Sequence, residues 1–486
     1  MRIVGRITAS PAFLLSATAA YVISAYASTY VPLAWLWRPL FISLGAVAVI
    51  YVALWLVLRR RWWASVGVGV LLLLTVRAEI AALILVLVSA GWALAQRQRG
   101  NVTWSHHDSV FGFLNLAAVA WLAMTVVAAA SITRPATLAD PLVVPGPDAR
   151  PDIHLLLLDA YARGDTLASF GFDNEPFLRE LEGMGFEVDR EAEGNYTGTV
   201  QTVAAMLQMR HVDEIAEATA AAEVDQYRQL RRWQDEAPAF ATLRAIGYEI
   251  WYSDPGSEET ALQSVDVRLG GDGLNEFETH LLSRTRLGRA IELFAPEFHL
   301  RFRADRVVTQ FEQLAELSPS GVPRLIYTHV MAPHTPFMFR ADGSPASLPE
   351  CYPSTCGSVG GGIRELLMDR QAWGAAYAEQ VAHVNTLVLA RVSEIVADDP
   401  EAVVIVFSDH GSRYDPQGDS AERYRILWAS RTPGLPGLFE GQEQPASLFV
   451  GLLRGYFGAD IAWPSASVRF VGTGEGPLKL MRQVTP

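Results

Sequence analysis

The stretch VVIVFSDHGSR, residues 403–413, runs five apolar and mostly β-branched residues directly into Asp409 and His410. Its length and composition predict a buried strand, so an acid and an imidazole stand where that strand runs out. A second apolar run, IHLLLL at 153–158, ends the same way, in Asp159. Tyr248–Tyr252, Arg324–Tyr327 and Ile426–Trp428 read as further strands, and 174–184, 199–208, 237–246, 371–397 and 445–456 read as helices. The alternation predicts an α/β domain with a mainly parallel sheet and helices on both faces. Ligands of such sheets collect at the carboxyl ends of the strands, where Asp159, Asp409 and His410 are expected.

An Asp that follows a strand is usually a turn residue. Two carboxylates and an imidazole at one edge instead make a mixed oxygen and nitrogen set for one divalent cation. Zn or Mn suits that set, and Mg or Ca suits it less comfortably because of the imidazole. A third segment, EGNYTGTVQTVAAMLQM at 193–209, leads glycine and hydroxyl residues into a helical pattern with Thr199 at its start. Unpaired N–H groups and the helix dipole favour an anion there, although Thr199 could also serve simply as an N-cap. Asn195-Tyr-Thr197 also matches a glycosylation sequon, a common accident. In THVMAPHTPFMF, residues 328–339, His329 and His334 follow a strand, and either imidazole could hold a phosphate oxygen or protonate a leaving group. His334, between Pro333 and Pro336, is the better placed.

Charge divides the chain. Residues 1–110 carry nine arginines and two acids, a balance of +7, while the remainder is at −20. So acidic a domain offers nucleic acid no electrostatic footprint. Apolar stretches at about 11–27, 40–58, 62–76, 80–95 and 110–132 predict five membrane spans. Eight of the thirteen tryptophans lie in this part, several near span ends, where an indole suits the headgroup region. With the N-terminus inside, Arg2, Arg6, Arg59, Arg60, Arg61, Arg97 and Arg99 are cytoplasmic, and only Arg38 and Arg77 fall outside. Everything after Ile132 is then delivered to the outer face. Residues 1–27 also fit a signal peptide, which leaves that placement unchanged. The predicted organisation is a membrane domain over 1–132, a proline-rich connector over 133–151 and an outer domain over 152–486. In the outer compartment Cys351 and Cys356, in the loop CYPSTC, are expected to form a disulfide rather than remain as two thiols.

Four segments occur in the order strand–Asp159, Asn195-Tyr-x-x-Thr199 helix, His329…Pro333-His334-x-Pro336 and Ser408-Asp409-His410-Gly411. That order resembles the alkaline phosphatase/sulfatase superfamily. With five spans ahead of it, the chain looks like the lipoteichoic acid synthases and the lipid A phosphoethanolamine transferases. The resemblance covers about residues 150–430. It implies an alkaline-phosphatase-like domain with one metal held by Asp159, Thr199, Asp409 and His410, Thr199 as nucleophile through a phospho-threonine, and His334 across the site. Two departures matter. Neither Cys351 nor Cys356 lies in the motif that sulfatases convert to formylglycine, which disfavours sulfate-ester hydrolysis. Asp159 stands where the synthases and transferases usually have Glu, which leaves transfer and hydrolysis both open.

The reading that unites these features is a membrane-bound phosphotransferase moving a head group from a lipid donor to an envelope glycan or glycolipid. Its alternatives are a phosphodiesterase or phosphomonoesterase with the same site, and a non-catalytic relative that only binds. Membrane lipids are the expected partners, and nothing in the sequence points to a particular protein partner.

Overall fold

The structure is a computed structural model that describes residues 12–76, 107–132, 139–145, 150–212, 226–271, 273–295, 297–317, 320–346, 370–412, 414, 421–465, 469–472 and 481–484. The chain divides into two compact units, one formed by residues 1–134 with 275–295 and the other by 135–274 with 296–486. The predicted Cys351–Cys356 disulfide, Arg413 and the apolar stretch at 80–95 lie outside the described residues.

In the first unit the apolar stretches become the helices Ala12–Ala27, Ala34–Leu58, Arg61–Val76 and His107–Ile132. Ala34–Leu58 has the length and composition to cross a bilayer, and the other apolar helical stretches, Ala12–Ala27, Trp63–Leu72 and Leu114–Ala130, are shorter. These helices leave large apolar side chains uncovered, among them Phe41, Ile42, Val49, Val57, Leu116, Met124 and Val127. Two further helices, Glu276–Ser283 and Arg286–Phe294, complete the unit from a distant part of the chain.

The second unit is built on a seven-stranded sheet. Its strands are β1 (Ile153–Leu158), β2 (Glu187–Asp189), β3 (Glu249–Ser253), β4 (Val267–Leu269), β5 (Arg324–Val330), β6 (Val403–Phe407) and β7 (Trp428–Arg431), in the spatial order β2-β7-β6-β1-β5-β3-β4. The five strands from β6 to β4 run parallel, and β7 pairs antiparallel with both β6 and β2. The mainly parallel sheet inferred from the sequence is therefore present. A separate pair, β8 (Arg469–Gly472) and β9 (Met481–Val484), lies outside it.

Continuous apolar runs follow from burial on both faces. Along β1, Ile153, Leu155 and Leu157 join one core while Leu156 and Leu158 join the other, and Val403, Ile405 and Phe407 alternate with Val404 and Val406 along β6 in the same way. Each fully buried leucine contributes about 2 kcal/mol. The first core is closed by the helices Thr199–Gln208, Pro238–Ala245 and Leu448–Phe457, and the second by Glu175–Gly183, Phe298–Ala315 and Arg370–Asp398. β1 is central, between β5 and β6 in parallel register, with Leu157 opposite both His329 and Phe407. That register brings Asp159, His329 and Asp409 to one sheet edge.

Candidate active site

Asp159, Asp409 and His410 are fully buried at the carboxyl ends of β1 and β6, and one potential ligand atom from each lies within 4.8 Å of the others. His410 Nε2 is 3.7 Å from Asp159 Oδ1 and 3.5 Å from Asp409 Oδ2. These three atoms, Asp159 Oδ1, Asp409 Oδ2 and His410 Nε2, have no hydrogen-bond partner. Buried polar atoms are rarely left in that state, and here they converge.

The remaining atoms of the three residues are engaged, which fixes where the free ones point. Asp409 Oδ1 accepts from the Ala160 amide at 3.1 Å. His410 Nδ1 lies 2.8 Å from the Gly411 carbonyl, so it carries the proton and presents the Nε2 lone pair outward. Asp159 Oδ2 accepts from Thr199 Oγ1 at 3.3 Å and lies 3.1 Å from His329 Nε2. Burial by itself would raise the Asp159 carboxyl, but the imidazoles of His334, His329 and His410 outweigh it and hold the group well below the usual carboxylate range. Two carboxylates and an imidazole nitrogen are a donor set that a divalent cation takes, so the residues present fit a metal.

Thr199 is the first residue of its helix, whose N-cap is Gly198, and its side chain makes no capping bond. The capping role considered for Thr199 is therefore not the one it plays; its hydroxyl is aimed at Asp159. The helix is apolar on nearly every side, which buries it, and Thr202 pins its start by donating to the carbonyls of Gly198 and Asp409, each at 3.0 Å. Asn195 is buried, out of reach of a glycosylating enzyme.

The two histidines of the 328–339 segment separate. His334, nearly buried, has its ring centre 6.3 Å from that of His410. His329 lies behind Asp159, with Nδ1 2.8 Å from Thr260 Oγ1 and Nε2 on the carboxylate. It thus orients a candidate ligand from the protein side. Outer partners of this kind set ligand direction and basicity, so His329→Gln is expected to lower metal affinity about 10- to 100-fold, measured by competition with a chelating dye.

Several supporting residues carry no local signal in the sequence. Ala160 adopts φ +60°, a left-handed conformation unusual for a residue with a Cβ, immediately after Asp159. Tyr377 holds that turn, donating to the Ala160 carbonyl at 2.6 Å and accepting from the Ala162 amide at 2.9 Å, and Ser408 Oγ accepts from the Tyr161 amide at 2.9 Å. Burial pushes the Tyr377 hydroxyl far up, so it stays neutral. Gln380 fixes the His334 loop by donating to the carbonyls of Pro333 and His334, each at 3.0 Å, and accepting from the Met338 amide at 2.5 Å. Of the arginines after the Asp-His pair, Arg425 is ion-paired with Asp165 at 3.2 Å.

No protein-family profile and no curated protein matches the chain. Solved structures do. The C-terminal periplasmic domain of EcEptC from Escherichia coli, in complex with Zn, is similar over 71% of this chain and 96% of its own, at 12% identity and a TM-score of 0.41. The integral membrane lipooligosaccharide phosphoethanolamine transferase A of Neisseria meningitidis is similar over 77% of this chain and 68% of its own, at 14% identity and a TM-score of 0.40. A phosphonate monoester hydrolase of Agrobacterium radiobacter is similar over 66% of this chain and 80% of its own, at 17% identity and a TM-score of 0.40.

Proposed function

We propose that the chain is a metal-dependent phosphotransferase of the alkaline phosphatase superfamily, anchored in the cell membrane, which moves a phospho-head group from a lipid donor to an envelope glycan or glycolipid through Thr199. One observation carries this reading: three unpartnered lone-pair atoms, on Asp159, Asp409 and His410, converge where a hydroxyl at a helix N-terminus is aimed at Asp159. Asp159, Asp409, His410 and Thr199 would hold one divalent ion, Zn or Mn by their chemistry. When bound, the ion makes a coordinated hydroxyl more acidic and offsets charge on phosphoryl oxygens.

Thr199 Oγ then attacks phosphorus as its proton leaves along the hydrogen bond to Asp159 Oδ2, the bond from phosphorus to the leaving oxygen breaks, and that oxygen takes up a proton. His334, across the site, is the group for that proton or for a phosphoryl oxygen. The acceptor hydroxyl attacks the phospho-threonine in turn and gives up its proton, the bond from phosphorus to Thr199 Oγ breaks, and Thr199 is regenerated as a proton returns to it along the hydrogen bond to Asp159. The unpaired amides at the start of Thr199–Gln208 favour the phosphoryl charge throughout. A second reading lets water resolve the same intermediate. Asp159, a shorter side chain than the Glu usual in the transferases, favours it, and product analysis with and without an acceptor glycolipid separates the two.

Anchoring suits a lipid donor, because a site tethered by a short proline-rich connector stays near the leaflet that holds its substrate. Five spans with the N-terminus inside place the catalytic unit on the outer face. The test is elemental analysis of the purified full-length chain beside Asp159→Asn and Asp409→Asn, each checked by thermal unfolding. About one metal equivalent in the parent and loss in both variants is expected. A folded parent that takes up no metal after reloading would overturn the assignment.

A further inference from the structure

Most large apolar side chains left exposed by the fold belong to the helices of the first unit, where a membrane reading covers them. Among the described residues outside the helices between Ala12 and Ile132 and the link at Leu33 they are five: Val143, Leu287, Leu293, Phe294 and Val322. Three of these five fall in one nine-residue helix, Arg286–Phe294, at 60%, 70% and 83% exposure. Isolated exposed apolar residues are ordinary, but such a cluster marks a surface that something covers.

What covers it follows from where the helix is attached. The chain leaves the catalytic unit after Leu274, contributes Asn275–Ala295 to the helical unit and returns. Within that unit Arg286–Phe294 packs against Arg61–Val76, and its predecessor Glu276–Ser283 packs against Ala12–Ala27 and Ala34–Leu58. Phe277 meets the Tyr26 ring edge-on at 6.0 Å, and Glu278 pairs with Arg38. Tyr26 is at the C-terminal end of one apolar helix and Arg38 near the N-terminal end of the next, so the segment grips two helix ends that a span reading puts on the outer side. The exposed residues of Arg286–Phe294 therefore continue the apolar surface of the membrane helices at that end. Leu287 and Phe294, seven positions apart, share one line of the helix, and at about 100° per residue the exposed Arg286 and Arg289 fall on its flank and its far side. A helix that offers apolar side chains next to arginines is suited to the boundary between acyl chains and phosphate headgroups.

We infer that Arg286–Phe294 lies in the headgroup region of the outer leaflet, with Leu287 and Phe294 inserted toward the acyl chains and Arg286 and Arg289 at the lipid phosphates. The inference rests on the reading of the first unit as membrane-spanning. It gives the catalytic unit a second attachment to the bilayer, separate from the connector.

The test uses the full-length chain with Cys351→Ser and Cys356→Ser, carrying one added cysteine labelled with an environment-sensitive fluorophore and reconstituted into phosphatidylcholine and phosphatidylglycerol vesicles. Leu287→Cys and Phe294→Cys are compared with Phe41→Cys, exposed on Ala34–Leu58, and with Val143→Cys, exposed in the second unit. All four positions are on the surface, and monodisperse elution confirms folding. The expected result is quenching at 287 and 294 by lipids carrying a quencher near the headgroup, quenching at 41 by a deeper quencher, and none at 143. Quenching at 41 with none at 287 or 294 overturns the inference and leaves the membrane reading standing. Blue-shifted emission at 287 and 294 without lipid quenching puts a second protein copy on the face and also overturns it. No quenching at any position removes the membrane reading and the inference together.

Discussion

Thr199→Ala is expected to lower turnover by about four orders of magnitude or more while leaving the unfolding temperature of the chain unchanged. The size of the effect follows from the covalent route, since no other hydroxyl stands in the same place. Thr202 donates to two backbone carbonyls and is committed to holding the helix. The selectivity follows from the same bonds. Thr199 contributes one long hydrogen bond, 3.3 Å to Asp159, and caps nothing, so its removal costs the fold little. Thr199→Ser keeps the oxygen and is expected to retain partial activity. A chromogenic phosphodiester probe reads the rates, and mass spectrometry of the quenched parent reads a phosphoryl group on the peptide containing Thr199. Turnover in the alanine variant equal to the parent would remove Thr199 as nucleophile.

The parts of the molecule legible in the sequence are those whose signal is local. Ile153–Leu158 and Val403–Phe407 are uninterrupted apolar runs because each strand is buried on both faces, and both were bounded to the residue. Thr199–Gln208 announced itself through a glycine and hydroxyl entry into an apolar helix. By contrast Phe298–Ala315 packs through Arg306 and Gln310 as well as Val307 and Phe311, which blurs its apolar stripe, and three-residue strands such as Val267–Leu269 are too short for any period. Ile426–Trp428 was read as a strand where pairing runs over Trp428–Arg431 instead; Ile426 forms only an isolated bridge with Ala162. That Asp159, Thr199, Asp409 and His410 come together is legible in the sequence because each ends or begins an element. The roles of Tyr377, Gln380 and Asn385 are not, since their partners Ala160, Pro333 and Tyr161 lie 217, 47 and 224 positions away. The role of His329 was hidden for the same reason. Its position at a strand end was visible, but a strand exit alone does not say whether an imidazole faces a substrate or a carboxylate behind it.

The glycine that closes the Ser-Asp-His-Gly stretch sets the second large effect. A Cβ built on Gly411 would lie 2.0 Å from the Glu422 carbonyl oxygen and 2.5 Å from that of Arg425. Both obstacles are backbone, so no rotamer change relieves them and the main chain must move. The Gly411 amide is itself tied to the Arg423 carbonyl at 2.7 Å, and its own carbonyl orients His410 through Nδ1 at 2.8 Å. Any shift that admits a methyl group therefore tilts the imidazole whose Nε2 completes the convergent set. Gly411→Ala is expected to cost about 3 kcal/mol or more in stability, and to lose metal along with it. Gly183, at the end of Glu175–Gly183, has open space where its Cβ would be, so Gly183→Ala is expected to stay within about 1 kcal/mol of the parent and to keep its metal. Thermal unfolding and metal content of the two variants, side by side, check this. Equal behaviour would mean that the loop at 421–425 yields without disturbing His410, and the close approach at Gly411 would then not be what sets the geometry of the site.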